Sequence, residues 1–296
     1  MPAKGDTAEI GVVIVNYNAG DALVRCVSSV LTQQVPVRIT VADNASADGS
    51  MERLESAFSG SSQLRLISNR SNLGFSRAVN RAVADMREKA AFLLILNPDC
   101  EMLPGSLAFL VSALEQDAGA AMAGPAVVDR QGQAMRGTLR RFPDPWTSFL
   151  TFSGLWRLRR FFSVFDGVDD SAHLPSTTCK AEAISGACML VRQPLFDELG
   201  GMDESYGLHC EDLDLMYRLH QMGHYCLFVP SAQVFHQQGL SSKSRPAWVH
   251  WQKHLGMQRF FLKFQARNHG FPVRWLVLAG IWIRFALTLP LVWLRS

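Results

Sequence analysis

This 296-residue sequence lacks the signatures of several common nucleotide-binding and metal-binding proteins. It has no GxGxxG and no GxxxxGK[ST] segment, which leaves a dinucleotide-binding fold of that type or a P-loop NTPase without support. Its cysteines are scattered and include no CxxC pair, as expected for reduced thiols rather than for a disulfide framework or a zinc site. The first residues, MPAKGDTAEIG, contain no apolar stretch, so we expect no signal peptide.

Acidic residues are missing from the C-terminal part of the chain. Asp214 is the last Asp or Glu, whereas Lys and Arg continue as far as Arg295, so the net charge of +3 combines an acidic front with a basic, aromatic tail. This asymmetry indicates different partners for the two ends. The tail is rich in Leu, Ile, Val and Trp and has no nucleic-acid-binding motif, so we expect no nucleic-acid partner.

Short apolar runs alternate with helical patterns, which predicts an α/β fold with a mainly parallel sheet flanked by helices. The predicted strands are 10–15, 37–42, 64–68, 91–96, 183–193 and 225–229. The predicted helices are 21–33, 50–58, 74–88, 210–222 and 248–268. Residues 136–165 are basic and aromatic, and we interpret them as a membrane-facing insertion or as a solvated loop packed on the core.

Polar residues directly follow three of the predicted strands. Tyr17, Asp43 and Asp99 stand at such ends, and the carboxyl ends of parallel strands share one edge of the sheet, where ligands bind. Asp99 follows the apolar run LLIL and the strand-ending residue Pro98. It either forms a local turn or cap, or supplies a carboxylate to a divalent cation beside a diphosphate. Asp43 has the same two interpretations, a cap or a ligand-binding group.

Three further candidates lie in the second half of the chain. Glu211 and Asp212 open a predicted helix, where acids are favoured at the positive N-terminal end, or one of them is a general base. His236 is either a structural histidine or a ligand of a divalent ion. Gly186 indicates tight packing or a close approach of the backbone to a ligand.

Seven segments, in this order and spacing, resemble family 2 glycosyltransferases of the GT-A fold, and within them bacterial rhamnosyltransferase-like enzymes. They are VVIVNYN (12–18), VADNASADGS (41–50), NRSNLGFSRAVNRA (69–82), LNPDCEM (96–102), ISGACMLVRQPLFDELGGMDESY (184–206), EDLDLMYRLHQMGH (211–224) and VFHQQGLS (234–241). The resemblance implies a GT-A domain over residues 1–245, with a nucleotide-binding half at about 10–130 and an acceptor half at about 131–245. A membrane-associated helical tail, 246–296, follows it.

The resemblance also implies where the donor nucleotide binds. Tyr17 and Asp43 would line the pocket for the base, with Asp43 accepting a hydrogen bond from the base imide. Arg77 would lie near the nucleotide. Asn97 and Asp99 stand where the family has its DxD motif, and Asn97 replaces the first Asp, which removes one metal-binding charge.

The same resemblance implies the metal and the catalytic groups. Asp99 and His236 would hold Mg²⁺ or Mn²⁺. Asp212 would be the catalytic base, and Glu211 would orient it or the acceptor. The expected reaction is an inverting transfer of L-rhamnose from dTDP-L-rhamnose to a lipid-linked or saccharide acceptor of cell-surface polysaccharide. A UDP- or GDP-sugar donor is the alternative within the fold. A non-catalytic nucleotide-sugar-binding module is the alternative outside enzymes, although it would need the base lost.

The apolar stretch 271–294 has the length of a membrane helix, about 36 Å, but Arg284 lies in its middle. Helical spacing places Arg274, Arg284, Thr288 and Arg295 on one stripe, a pattern typical of a helix in the membrane interface. We therefore expect a peripheral protein on the cytoplasmic face of the inner membrane. A spanning helix and a buried or oligomer-contact helix are the alternatives.

Overall fold

The computed structural model describes residues 9–86, 89–153, 168–169, 171, 174–237 and 246–293. Part of the predicted insertion, residues 154–165, lies outside the described residues. So do the predicted domain boundary at residue 245 and the last cation of the C-terminal stripe, Arg295.

The predicted alternation of strands and helices is present in the first part of the chain and continues beyond it. The strands are β1 (Ile10–Asn16), β2 (Val37–Asp43), β3 (Leu64–Ser68), β4 (Phe92–Leu96), β5 (Cys100–Met102), β6 (Ala120–Val128), β7 (Leu139–Arg140), β8 (Cys179–Ala181), β9 (Ala183–Ile184), β10 (Cys188–Arg192) and β11 (Tyr225–His236). The helices are α1 (Ala22–Leu31), α2 (Ser50–Ala57), α3 (Phe75–Ala84), α4 (Ser106–Gln116), α5 (Pro145–Ser153), α6 (Gln193–Glu198), α7 (Glu211–Gln221), α8 (Pro246–Phe260) and α9 (Phe271–Trp293).

Most strands of the main sheet run parallel. Among the described residues its order is β3-β2-β1-β4-β10-β6-β11-β5, with β8 paired to β11. Strands β3, β2, β1 and β4 are mutually parallel, and β6 and β11 are parallel to each other. Strand β10 lies antiparallel between β4 and β6, and β5 and β8 are antiparallel to β11. The predicted mainly parallel α/β architecture is confirmed, with antiparallel strands that the sequence pattern did not indicate.

Helices cover both faces of this sheet, and the sheet therefore consists of nearly continuous apolar strands. On β1, Val12 and Ile14 pack with residues of α1 and α4, whereas Val13 and Val15 pack with residues of α3 and α7. Full burial of such side chains contributes about 1.5–3 kcal/mol each. The end of α8 belongs to the same core through the buried ring of Phe260.

Some element boundaries differ from the prediction. The segment predicted as a strand at 183–193 contains two short strands, β9 and β10, which residues 185–187 separate. The helix predicted to reach residue 268 ends at Phe260 instead. A π-helical turn and a 3₁₀ turn follow it. Helix α3 ends at Ala84 instead of residue 88.

Strand β11 is longer than predicted because a bulge carries it past Pro230. Val229 pairs with Pro125 of β6, and the next pair along the ladder joins Gln233 to Ala126. Residues 230–232 are the extra length, and a bulge is where a strand tolerates proline, which has no N–H for the ladder. Beyond the bulge, β11 pairs with β5 and ends at His236.

Helices α8 and α9 pack against each other through the side of α9 that carries Thr288. Thr288 Oγ1 lies 2.9 Å from His250 Nε2, and the Phe285 ring stacks on His250 with 5.1 Å between ring centroids. This side of α9 therefore faces α8, and Arg284 on the same side is half-buried. The exposed large side chains of α9 are apolar, namely Phe271, Val273, Trp275, Leu276, Ile283, Leu287 and Leu291.

Candidate active site

A tight turn places Asp99 at the tip of the buried strand β4. Asn97 N–H donates to the Ala187 carbonyl at 2.9 Å, and Cys100 N–H donates to the Asn97 carbonyl at 3.2 Å, so the chain reverses into β5. Strand β5 pairs antiparallel with β11 and brings Cys100 opposite His236. The Gln237 N–H donates to the Asp99 carbonyl at 2.9 Å, which ties the two segments together beyond the strands.

This pairing brings two predicted metal ligands into contact. Asp99 Oδ1 lies 3.1 Å from His236 Nε2, and both side chains are close to fully buried, at 8% and 12% exposure. Cys100 Sγ lies within 4.8 Å of these atoms. However, burial raises the pKa of the Cys100 thiol well above its usual range, and the charge of Asp99 raises it further. This thiol donates to the Ala187 carbonyl, and thiolate sulfur suits softer metals than Mg²⁺, so the donors that fit a hard cation are one carboxylate and one imidazole.

Such a donor set fits a divalent cation that shares its coordination with a phosphorylated ligand. Mg²⁺ and Mn²⁺ sites in proteins commonly use one or two protein ligands, with phosphate oxygens and water in the other positions. Asn97, the residue in place of the first Asp of the motif, is half-buried two residues before Asp99. Its amide adds no charge to the site.

The loop after β2 is organised around the buried carboxylate of Asp43. Asn16 Nδ2 donates to Asp43 Oδ1 at 2.9 Å, and the hydroxyl of Ser46 donates to the same oxygen at 2.5 Å. The Ser46 N–H donates to the other oxygen at 3.1 Å. Asp43 therefore does act in the local turn, and its predicted contact with a nucleotide base stays a prediction. Sequence reasoning missed Asn16, a polar residue at the buried end of a strand.

Tyr17 and Arg77 flank this loop. Tyr17 follows β1 directly and is half-buried. Arg77 lies in the first turn of α3, whose start contacts the same loop because Asn44 Nδ2 donates to the Gly74 carbonyl at 3.3 Å. The side chain of Arg77 is 59% exposed, and its Nε lies 3.5 Å from Glu204 Oε2. The structure thus gives Arg77 a surface carboxylate as its partner.

Helix α7 starts at Glu211 after two residues in the left-handed region. His209 and Cys210 have φ values of 68° and 69°, and residues other than glycine are uncommon there. Helix α8 packs closely on this loop at Gly256, where an added Cβ would lie 2.6 Å from the His209 carbonyl oxygen. This packing fixes the position of Glu211 and Asp212 at the start of α7.

Arg140, which sequence reasoning missed, is the direct partner of Asp212. Its Nη2 lies 2.5 Å from Asp212 Oδ2, with side-chain exposures of 18% and 15%. The same nitrogen donates to the Ile184 carbonyl, and Asp212 Oδ1 accepts from the Leu213 N–H at 2.8 Å. Gly186 also packs closely on this carboxylate, because a Cβ there would lie 2.5 Å from Asp212 Oδ2.

Glu211 and Asp212 differ in their electrostatic environments. Burial raises the pKa of Glu211 to about 8, and the neighbouring charge of Asp212 adds to this effect. Burial also acts to raise the pKa of Asp212, but the Arg140 guanidinium outweighs it and holds that pKa below its usual value. The two pKa values are thus shifted in opposite directions, which favours the protonated form of Glu211 and the ionised form of Asp212. The Glu211 Oε2 atom is buried without a hydrogen-bond partner in the described part of the chain.

Residues 185–187 connect the two parts of the site. The Ala187 carbonyl accepts from Asn97 N–H and from the Cys100 thiol, at 2.9 and 3.6 Å, which ties it to the turn that holds Asp99. Its neighbour Gly186 packs on Asp212. The Asp99–His236 pair and Asp212 thus flank one short backbone segment.

Comparison with known proteins agrees with this architecture. A family model described as glycosyl transferase family 2 matches residues 11–200. The N-acetylglucosaminyl-diphospho-decaprenol L-rhamnosyltransferase of Mycobacterium tuberculosis (strain ATCC 25618 / H37Rv) is 29% identical in an alignment 301 residues long. The alignment covers 94% of this chain and 92% of that protein.

Two solved structures share the fold. GalNAc-T7 with UDP, GalNAc and Mn²⁺ has a TM-score of 0.62 at 19% identity, over 87% of this chain and 48% of that chain. The mannosyltransferase PcManGT from Pyrobaculum calidifontis in complex with GDP-Man and Mn²⁺ has a TM-score of 0.60 at 17% identity, over 96% of this chain and 73% of that chain. This chain thus spans about half the length of GalNAc-T7, and the likeness confirms the predicted GT-A fold.

Proposed function

This chain belongs to glycosyl transferase family 2, and on that premise we propose that it is a metal-dependent, inverting glycosyltransferase. The observation that carries the proposal is the arrangement around residues 185–187. An Asp99–His236 pair suited to a divalent cation lies on one side, and an ionised Asp212 lies on the other. A nucleotide-sugar-binding module without catalysis would need the first feature and would have no use for the second.

Asp99 and His236 would hold Mg²⁺ or Mn²⁺ beside the diphosphate of the donor. When bound, the cation stabilises the negative charge that develops on the leaving diphosphate. Asp43 and Tyr17 would bind the base, Asn97 the ribose, and Arg77 would lie near the nucleotide. For Arg77 this requires release from Glu204, a weak and exposed partner.

Asp212 would remove the proton of the acceptor hydroxyl as that oxygen attacks the anomeric carbon. One displacement from the face opposite the leaving group inverts the anomeric centre, and a positioned base typically contributes about 10²–10⁴-fold to the rate. Its ionisation at neutral pH supports this role. Protonated Glu211 can donate a hydrogen bond, and we assign it the orientation of the acceptor or of Asp212.

For the substrates we propose L-rhamnose from dTDP-L-rhamnose and a lipid-linked or saccharide acceptor of cell-surface polysaccharide. The support is the similarity, over nearly the whole chain, to a rhamnosyltransferase whose name specifies a diphospho-decaprenol-linked N-acetylglucosamine. UDP- and GDP-sugars are the competing donors, and nucleotides of these two types were present in the GalNAc-T7 and PcManGT structures.

We further propose that the tail, 246–296, attaches a GT-A domain, 1–245, to the cytoplasmic face of the membrane. Among the described helices, the segment Phe271–Val292 is long and apolar enough to cross a bilayer by length and composition. Its exposed side is apolar, and Thr288 and Trp282 contact α8, so the helix can lie in the interface with the apolar side in the lipid. The absence of acidic residues after Asp214 favours anionic lipid.

A donor panel on purified protein tests this function. Transfer from dTDP-L-rhamnose, UDP-sugars and GDP-sugars to a lipid-linked diphosphate sugar is followed by mass spectrometry, for wild type and for Asp212→Asn. We expect transfer from the dTDP donor, its loss in the variant and unchanged donor affinity. The matched control is Asp85→Asn, which removes an exposed carboxylate paired with Arg65 at the far edge of the sheet. Turnover retained by Asp212→Asn would overturn the assignment of the base, and absence of transfer from every donor would favour the binding module.

A further inference from the structure

The Arg140–Asp212 ion pair joins two elements that have no backbone pairing with each other. Arg140 lies on β7, whose ladder partner is β9, with Leu139 opposite Ile184 and Arg140 opposite Ala183. Asp212 lies in the first turn of α7. The backbone ladder and the contact of Nη2 with the Ile184 carbonyl both join Arg140 to β9, and neither accounts for the second contact of its side chain. Its reach to Asp212 calls for a separate explanation.

The geometry of the pair leaves the Asp212 carboxylate able to accept a further hydrogen bond. Arg140 Nη2 contacts Oδ2 at 2.5 Å, and the Leu213 N–H contacts Oδ1 at 2.8 Å. A carboxylate offers about four lone-pair positions, so each oxygen keeps one for a further partner. Gly186 fills the space on the side of Oδ2 with backbone rather than with a side chain. The orientation of Asp212 is thus fixed while acceptor capacity remains.

The other charged and titratable groups near Asp212 do not replace Arg140. Glu211 is the adjacent residue on α7 and, when ionised, would repel the Asp212 charge. Burial lowers the pKa of His209, on the preceding loop, to about 4, and Lys253 on α8 adds to this effect, so His209 is not a permanent cation. Arg140 is therefore the permanent cation in contact with the carboxylate.

We infer that Arg140 is a positioning residue for the transfer reaction, which holds the Asp212 carboxylate in place and orients it towards the acceptor hydroxyl. This inference rests on the proposed role of Asp212 as the base. It adds a residue from the segment that the sequence pattern assigned to an insertion. It also explains why a buried pair of carboxyl groups can supply a base at neutral pH, since a cation at hydrogen-bond distance offsets the cost of burying that charge.

The test is the pH dependence of kcat/KM for the acceptor in wild type, Arg140→Met and Arg140→Lys, measured with full-length protein in detergent or vesicles. In wild type the acidic limb reports the ionisation of the base. An adjacent cation typically lowers a carboxyl pKa by about 1–3 pH units, so Arg140→Met should move the acidic limb to higher pH by about that amount. Arg140→Lys should keep the limb near its wild-type position, and the donor KM should stay unchanged in both variants.

Two controls separate the possible outcomes. Arg65→Met removes an arginine from another Arg–Asp pair with a 2.5 Å contact, on β3 at the far edge of the sheet, and should leave the profile unchanged. Asp212→Asn, measured in parallel, tests the base itself. If Asp212→Asn is inactive while Arg140→Met keeps the wild-type acidic limb, the role of Arg140 is wrong and the base assignment stands. If Asp212→Asn retains turnover, the proposed function fails first.

A purely structural role of Arg140 would give a different pattern. Loss of the contact with the Ile184 carbonyl would then lower the amount of folded protein, without any change in the shape of the profile. Donor binding measured by calorimetry counts the folded fraction in each preparation. If Arg140→Met does not fold, Arg140→Lys decides the question, because a large shift of its acidic limb would overturn the inference that the charge is what matters.

Discussion

Replacing Gly186 by alanine should impair turnover far more than it impairs folding. An added Cβ would lie 2.5 Å from Asp212 Oδ2, 2.8 Å from its Cβ and 2.9 Å from its Cγ. The two groups must separate by about 1 Å to reach ordinary van der Waals contact. Overpacking of this kind costs about 1–3 kcal/mol of stability, whereas a displacement of about 1 Å at a reacting group can reduce the rate about 10²-fold. We therefore expect folded protein with about 10²-fold lower kcat.

The measurement is kcat with saturating donor and acceptor, together with donor affinity by calorimetry and the thermal midpoint. Gly119→Ala is the matched control, because its Cβ would lie 2.8 Å from the Tyr225 hydroxyl oxygen, at a place remote from Asp212. The control should lose comparable stability and keep its kcat. Wild-type kcat in Gly186→Ala would refute the idea that the Asp212 position limits catalysis. A loss of donor affinity would also contradict the prediction, because it would show that the substitution disturbs donor binding.

Three further predictions follow from the site and the tail. Chelation with EDTA should stop transfer, and Mn²⁺ or Mg²⁺ should restore it; full activity in EDTA would show that the reaction needs no metal. His236→Ala should raise the Mn²⁺ concentration for half-maximal activity about tenfold or more, because even the outer partners of metal ligands have effects of that size. Because the pKa of Glu211 is raised to about 8, its stabilising effect is present at low pH and is lost as pH rises towards 8, so Glu211→Gln should flatten the fall in thermal midpoint between about pH 4.5 and 8. A variant in which the exposed residues Ile283 and Leu287 are both changed to Asp should no longer sediment with anionic vesicles and should keep donor binding, whereas Glu55→Gln, on the exposed side of α2, should sediment like wild type.

Much of the fold over residues 10–130 was predictable because its signals are local. The strands β1, β2, β3 and β4 are apolar runs that end in polar residues, and the structure places Asp43 and Asp99 at the ends of two of them. The contact between Asp99 and His236 was expected from the resemblance. Its physical basis, the antiparallel pairing of β5 with β11, involves residues far apart in sequence and left no pattern in either segment.

Other parts of the site were not predictable from local patterns. Arg140 lies in a basic and aromatic stretch, where nothing in its neighbours marks it as different from Arg141, and only the folded chain brings it to Asp212. The orientation of α9 was likewise inaccessible. Helical spacing grouped Arg284 with Thr288, but which side meets α8 depends on tertiary partners such as His250 and Gln258.

The extra residues 230–232 in β11 have a consequence at a distance. Side chains along a strand alternate between its two sides, so a change of one residue upstream reverses the direction of every side chain that follows. His236 lies downstream of these residues, and its side chain contacts Asp99 in the pairing register that the structure shows. A one-residue slip of β11 against β6 and β5 would therefore turn the imidazole away from the Asp99 carboxylate, through a change that alters neither side chain.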